Sequence, residues 1–268
     1  MKKDLISVLM GIYNIPSKEV LEKSINSILN QSYKNIEFII IDDGSTNDTY
    51  KWAKEITKND KRVILKKNEK NLGLTKTLNK CLKLATGEFI ARMDGDDYSH
   101  KDRFKKQLEF LKNNKEYQLV GCNIENFDEN GVWGKRIVPE IIKKEDFLFT
   151  SPIPHPTIMT YKKNLESVNG YRETWQTDRN EDYDLFMRMF AKEMKMYNIQ
   201  EILYSYREDQ TCYSKRKYRY RICEMLVRAK GFKQLKLYPK GIPYVIKPLI
   251  VGLIPQKILK KVRNKDGK

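Results

Sequence analysis

Ile36-Glu37-Phe38-Ile39-Ile40-Ile41 is a nearly unbroken apolar run, and it stops at Asp42-Asp43-Gly44-Ser45. A strand this apolar has both faces covered, which requires helices on either side of a sheet. The pattern recurs along the first hundred residues. Leu5–Met10 reads as a buried strand, Arg62-Val63-Ile64-Leu65 as another, and Glu88–Met93 as a fourth. Between them lie segments with helical spacing. Ser17 can cap a helix whose apolar face is Val20, Leu21, Ile25, Ile28 and Leu29. A second helix is expected over 47–58. A third carries Leu74, Leu78, Cys81, Leu82 and Ala85, with Gly87 as its stop. Four strand–helix alternations predict an α/β fold with a mostly parallel central sheet, flanked by helices and joined by right-handed crossovers. In such sheets ligands collect at the carboxyl ends of the strands. Tyr13-Asn14, Asp42-Asp43 and Asp94–Asp96 all fall just past strand ends, so they are expected to share one edge.

Asp94-Gly95-Asp96-Asp97 concentrates three carboxylates where a strand ends. Such a cluster is costly unless a cation or a set of donors neutralises it. A hard divalent ion held through oxygen is one answer; a polar turn with solvated acids is the other. With only His100 and His155 in the chain, a histidine-rich zinc site is excluded. The four cysteines, Cys81, Cys122, Cys212 and Cys223, form no CxxC pair and are read as reduced thiols. The absence of a Walker loop, GxGxxG, HExxH and GxSxG removes the simplest ATPase, dehydrogenase, zinc protease and hydrolase readings.

The second half is less regular. A helix is expected near 102–113, strands at Gln118–Cys122 and Val132–Val138 with Asn130-Gly131 as their turn, and a stiff non-helical loop at Ser151–Pro156. Asp182–Lys192 is amphipathic, with Tyr183, Phe186, Met187 and Phe190 on its apolar side. Glu181 and Asp182 sit at its start, where carboxylates suit the helix dipole.

Seven segments in order resemble the inverting, nucleotide-sugar-dependent glycosyltransferases of family 2, which have the GT-A fold. They are Ser7–Asn14, Ser27–Tyr33, Ile41–Thr46, Asn71-Leu72-Gly73, Ala91–Asp97, His155-Pro156-Thr157 and Asn180–Leu185. The resemblance covers about residues 4–207. It implies that Tyr13 borders the nucleotide, that Asp43 accepts from the uracil N–H, and that Asn71 and Gly73 form the loop beside the base. Arg92 would lie near uracil and phosphates, with Gly95 beside the donor. Asp94 and Asp96 resemble the DxD pair, Asp96 being the more direct ligand of Mn²⁺ or Mg²⁺. Asp182 resembles the general base, and His155 and Glu181 the pocket for sugar and acceptor. Plainer roles stay open: Asp42 or Asp43 as a cap of the next helix, Glu181 or Asp182 as partners of helix-start amides, His155 as a packed loop residue, and Arg92 as a structural partner of the acids.

The implied chemistry is coherent. Negative charge grows on the departing diphosphate, and a divalent ion stabilises it as a Lewis acid. A carboxylate that takes the acceptor hydroxyl's proton contributes about 10²–10⁴-fold. The sequence also departs from the family. Gly11 stands where proline or threonine is frequent, which suggests a looser first loop. Asp209 stands where many members have histidine. The Gln-x-x-Arg-Trp signature of processive synthases is missing, so one sugar per encounter is expected.

Charge is uneven. Residues 215–268 hold 17 Lys and Arg against two acids, leaving the rest of the chain nearly neutral. This separates an expected catalytic domain, 1–207, from a basic helical tail, 208–268. Ile242–Pro255 is too interrupted to span a bilayer yet apolar enough to lie in its surface, with Lys257, Lys260, Lys261 and Arg263 facing anionic headgroups. The N-terminal apolar run is too short for a signal-peptide core. The expected setting is therefore cytoplasmic and peripheral, on the inner face of the plasma membrane. The expected partners are a nucleotide sugar such as a UDP-sugar, a glycan or lipid-linked acceptor of cell-surface polysaccharide synthesis, and an anionic membrane, but no nucleic acid. A metal-dependent sugar-phosphate nucleotidyltransferase is the alternative, although Gly11–Asn14 offers no triphosphate cradle.

Overall fold

The structure, a computed structural model, describes residues 1–208 and 217–254. In chain order the elements are β1 (Lys2–Ile12), α1 (Lys18–Leu29), β2 (Ile36–Asp42), α2 (Thr49–Thr57), β3 (Val63–Lys67), α3 (Leu74–Leu84) and β4 (Gly87–Asp94). Then follow β5 (Tyr98–Ser99), α4 (Arg103–Asn113), β6 (Tyr117–Asp128), β7 (Gly131–Arg136), β8 (Met159–Tyr161) and α5 (Lys162–Ser167). The last are α6 (Glu181–Ala191), β9 (Lys195–Arg207), α7 (Tyr218–Gln234) and α8 (Ile242–Leu253). Cys212, Asp209 and the cations from Lys257 onward lie outside the described residues.

The expected parallel block is present, in the order β3-β2-β1-β4, with β1 paired in parallel to both β2 and β4. Alternation along its strands explains why both faces are apolar. Ile6, Val8, Met10, Phe38, Ile40 and Phe89 point to one side and meet Leu21, Ile25 and Ile28 of α1 and Phe104 of α4. Leu9, Ile39, Ile41 and Ile90 point to the other and meet Leu78, Cys81 and Leu82 of α3 and Phe186 of α6. Ser17 caps α1 by accepting from the Val20 N–H, worth about 1 kcal/mol.

Beyond β4 the sheet becomes mixed. The three-residue β8 inserts antiparallel between β4 and β6, and β9 runs parallel to β6 over a long, bulged register. Gly131, at φ +114°, turns β6 into β7 as expected.

Three local expectations change. Gly87 does not stop α3; Ala85 does, by turning extended. Gly87 opens β4, and a Cβ there would lie 2.5 Å from the Leu5 carbonyl oxygen. Gly11 is no loose loop residue but part of β1, and its missing Cβ makes room for Thr77 and Leu74 of α3. His155-Pro156-Thr157, at the end of the stiff loop, closes into one 3-10 turn.

The basic C-terminal helices are packed, not trailing. Val227, Phe232, Leu235 and Leu237 share a core with Leu9 and Ile39 of the parallel block. No helix among the described residues is long and apolar enough to cross a membrane.

Candidate active site

Strand register assembles the first half of the site. Ile12 lies beside Asp42, and Gly11 beside Asp94. The two acids therefore flank β1, about 10 Å apart at two strand spacings. Asp42 Oδ1 accepts from the Ser45 N–H at 2.9 Å, which closes the turn after β2. Neither Asp42 nor Asp43 caps α2, which begins only at Thr49 with Asp48 as its cap residue. Asp43 instead clasps the loop before α3. Its Oδ1 accepts from the Leu72 N–H at 2.9 Å and from Asn68 Nδ2 at 2.8 Å, and its Oδ2 from the Gly73 N–H at 2.9 Å. Gly73 holds φ +90°, a conformation that suits glycine. Asn71, on the same loop, and Tyr13, just past β1, are exposed at the rim.

At the end of β4 the three acids have three different environments. Asp94 is gripped by the buried Arg92 guanidinium, Nη1 to Oδ2 at 2.8 Å and Nη2 to Oδ1 at 2.5 Å. Burial opposes the arginine's charge, but Asp94 and nearby tyrosines hold its pKa above the ordinary value. Asp97 is an anchor: its Oδ2 accepts from the Tyr204 hydroxyl at 2.8 Å and its Oδ1 from the Arg207 N–H at 2.7 Å, tying β9 to this loop. Asp96 is pushed up to about 6, first by burial and then by the Asp94 charge. Gly95 lets the loop cross β1, since a Cβ there would sit 2.7 Å from Ile12 Cγ2.

Among the described residues no group of three or more His, Cys, Asp or Glu is arranged to hold a metal. The donor set nevertheless fits a hard cation of one kind. Asp96 is not bound by the Arg92 fork that occupies both Asp94 oxygens. One carboxylate plus phosphate oxygens and water is how Mg²⁺ is commonly held. The residues therefore suit an ion that arrives with a diphosphate, with Asp96 as the candidate ligand. Both oxygens of Asp94, expected as a second ligand, accept from Arg92.

The second half of the site is the start of α6. Glu181 and Asp182 occupy its first turn. Both carboxyls are raised: Glu181 to about 7 by burial and by Asp182, and Asp182 by burial, with the Tyr183 N–H and Arg92 pulling the other way. Arg92 also acts on Asp94, Asp96 and His155, so a single buried cation faces residues from three separate segments. His155 is buried and held neutral by burial and by Arg92, with its Nε2 2.7 Å from the Tyr171 hydroxyl.

The loop delivering Glu181 and Asp182 is fastened from outside by α7. Cys223 Sγ donates to the Trp175 carbonyl at 3.1 Å, Arg219 pairs with Asp178 at 2.8 Å, and the Arg179 guanidinium lies 5.7 Å above the Tyr220 ring. Arg179 itself holds φ +62° immediately before Asn180 and α6.

Sequence reasoning missed Tyr171, Tyr204 and Arg103. Arg103 sits at the start of α4, where a cation reads as a solvated surface residue. It is fully buried, and donates from Nη1 to the Pro156 carbonyl at 2.9 Å and from Nη2 to the Arg92 carbonyl at 3.0 Å. It thus joins the acid-bearing strand to the His155 turn. Arg103→Leu should lower unfolding free energy by about 2–5 kcal/mol, because two buried carbonyls lose their donor. Urea denaturation measures this; parental stability in the variant would mean those carbonyls do not need it.

A parallel sheet whose carboxyl edge carries a DxD loop, faced by a carboxylate at a helix start, is the architecture of a GT-A nucleotide-sugar transferase. The Glycosyl transferase family 2 profile matches residues 7–170, and the chain belongs to that family. It is an inverting enzyme that moves a sugar from a nucleotide-diphosphate sugar to an acceptor. Among its relatives is the putative glycosyltransferase EpsE of Bacillus subtilis, 40% identical over 97% of this chain and 93% of that one. Another is WfaP of Escherichia coli, a UDP-Glc:alpha-D-GlcNAc-diphosphoundecaprenol beta-1,3-glucosyltransferase, 30% identical over 73% of this chain and 74% of that one. The S. aureus TarS 1–349 structure with UDP-GlcNAc superposes with a TM-score of 0.70, covering 90% of this chain and 72% of that one at 18% identity, a likeness of fold.

Proposed function

We propose that this enzyme is non-processive and transfers one hexosyl or N-acetylhexosaminyl unit from a UDP-sugar to a hydroxyl of a glycan or lipid-linked acceptor in cell-surface polysaccharide synthesis. One observation carries the reading. The charge of the buried Arg92 bears on Asp94 and Asp96 and also on Glu181 and Asp182, which supports one shared space for the donor-side acids and the candidate base. WfaP, by its name, uses UDP-Glc and a diphosphoundecaprenol-linked acceptor, which supports the donor and acceptor classes.

In this reading Tyr13, Asp43, Asn71 and Gly73 frame the base, with Asp43 chiefly shaping the loop it clasps. Arg92 and Gly95 stand near the diphosphate. Asp96 would ligate Mn²⁺ or Mg²⁺, which supplies Lewis-acid stabilisation of the leaving phosphate. Asp182 removes the acceptor's proton on the face opposite the leaving group. Glu181 and neutral His155 line the acceptor side. Residues 1–207 perform catalysis, and 208–268 bring the enzyme to the inner face of the plasma membrane, where a lipid-linked acceptor would be found.

A thermal-shift panel tests the donor. With Mn²⁺ present, a UDP-sugar at about 100 times its Kd should add about 2.7 kcal/mol and raise Tm by roughly 5–10 °C, with GDP- and dTDP-sugars giving less. An equal response to every nucleotide would remove the UDP assignment.

A further inference from the structure

The outer face of α8 is finished in hydrocarbon. Ile242, Ile246, Ile250 and Leu253 are 47%, 46%, 58% and 73% exposed. At helical spacing these four side chains fall within an arc of about 80°. Pro243 borders the arc, and Lys247, the one charged residue of α8, lies at its margin. The inner face is fixed. Pro248 is buried, Tyr244 and Val245 pack on the core, and Gly252 lies so close to Tyr218 that a Cβ would come within 2.9 Å of its ring. The stripe is therefore held facing outward rather than left over from a loosely attached helix.

We propose that α8 lies in the surface of an anionic bilayer, with Ile242, Ile246, Ile250 and Leu253 seated among the acyl chains and Lys247, with the other exposed lysines of 217–254, meeting the headgroups. This rests on the membrane-side acceptor reading and gives it a contact surface. Length excludes a span: the 12 residues of α8 extend about 18 Å, against a hydrocarbon core of about 30 Å. Charge selects the lipid. Residues 217–254 carry nine Lys and Arg and one acid, Glu224, which is already bonded to Arg221 and Arg228. Lys230, Lys233, Lys236, Lys240 and Lys247 are exposed. An apolar stripe edged by lysine is the pattern of an in-plane interfacial helix. A protein partner would be expected to meet Trp, Tyr or Arg anchors in pockets; four branched aliphatics on a convex helix suit lipid, which needs no shape match.

The test is flotation of the full chain with phosphatidylglycerol/phosphatidylcholine vesicles and with phosphatidylcholine alone. The parent should float with the anionic vesicles and much less with the neutral ones. Its binding should weaken at about 0.5 M salt, where screening is nearly complete beyond roughly 4 Å. The double variant Ile246→Asp/Ile250→Asp, at exposed positions, should lose at least about tenfold in vesicle partition while keeping parental helix content. Equal flotation of parent and variant overturns the proposal. So does a parent that ignores anionic vesicles, or one that dimerises through this face, seen as a doubled mass in light scattering that the variant abolishes. The nucleotide response of the same samples is read separately, so a failed UDP assignment leaves the vesicle result intact.

Discussion

Asp182→Asn should cut sugar transfer by about 10²–10⁴-fold and leave nucleotide binding unchanged. Asparagine keeps the shape and the helix start but cannot take the acceptor's proton. Steady-state transfer assays and UDP titration separate the two effects, and a variant with parental turnover would end the base assignment. The parent's pH profile should carry the same signature. Burial raises both Glu181 and Asp182, and the Asp182 charge adds to it at Glu181, which lies near 7. Transfer therefore falls as pH drops through that region and the pair takes up a proton. For stability the sign is opposite. A carboxyl whose folded pKa lies above its unfolded one holds its proton more tightly when folded, so this contribution is present at low pH and lost as pH rises through the folded value. Nucleotide-free protein should thus gain Tm from Glu181 and Asp96 as pH falls from about 7.5 to about 5.5.

Asp96→Ala should remove the Mn²⁺-dependent part of UDP binding. The thermal shift of roughly 5–10 °C expected of the parent should then shrink to what nucleotide alone provides. Asp94→Ala is the informative contrast. It should release Arg92, which then sits buried without its carboxylate partner, and so lower stability as well as binding. If Asp96→Ala kept the full metal response and Asp94→Ala lost it, the two acids would have to exchange roles.

The parallel block was legible because each of its strands announces itself. Ile36–Ile41 and Leu5–Met10 are apolar on both faces, and each stops at a polar turn. The carboxyl-edge rule then puts Asp43 and Asp94 on one rim. The second half resisted for physical reasons. Met159–Tyr161 is too short to show a period, and the pairing of β9 with β6 shifts register near Asn123, so no single alternation runs along the pair. Gly87 reads as a helix stop and Gly11 as a source of looseness, because a sequence does not show where other atoms need the room that a glycine leaves; the close approach of Leu5 to one and Thr77 to the other supplies that reason. In the site, Asp97 resembled its two neighbours in sequence and differs from them only through Tyr204 and the Arg207 amide, more than a hundred residues away. Arg103 left no signal at all, since its value lies in two carbonyls that only the folded chain brings together.

The fastening of the 175–179 loop by Arg219, Tyr220 and Cys223 bears on how this enzyme can be divided. Ending the chain near residue 214 looks like a way to obtain a soluble catalytic half free of lipid affinity. Such a shortened enzyme would also forfeit the brace beside Asp182, the proposed proton acceptor, along with Val227 and Phe232 from the interior. Its silence in an assay would report a slackened pocket rather than a missing membrane, and the proposed lipid contact is separable from the brace by changing side chains on the outer surface of α8.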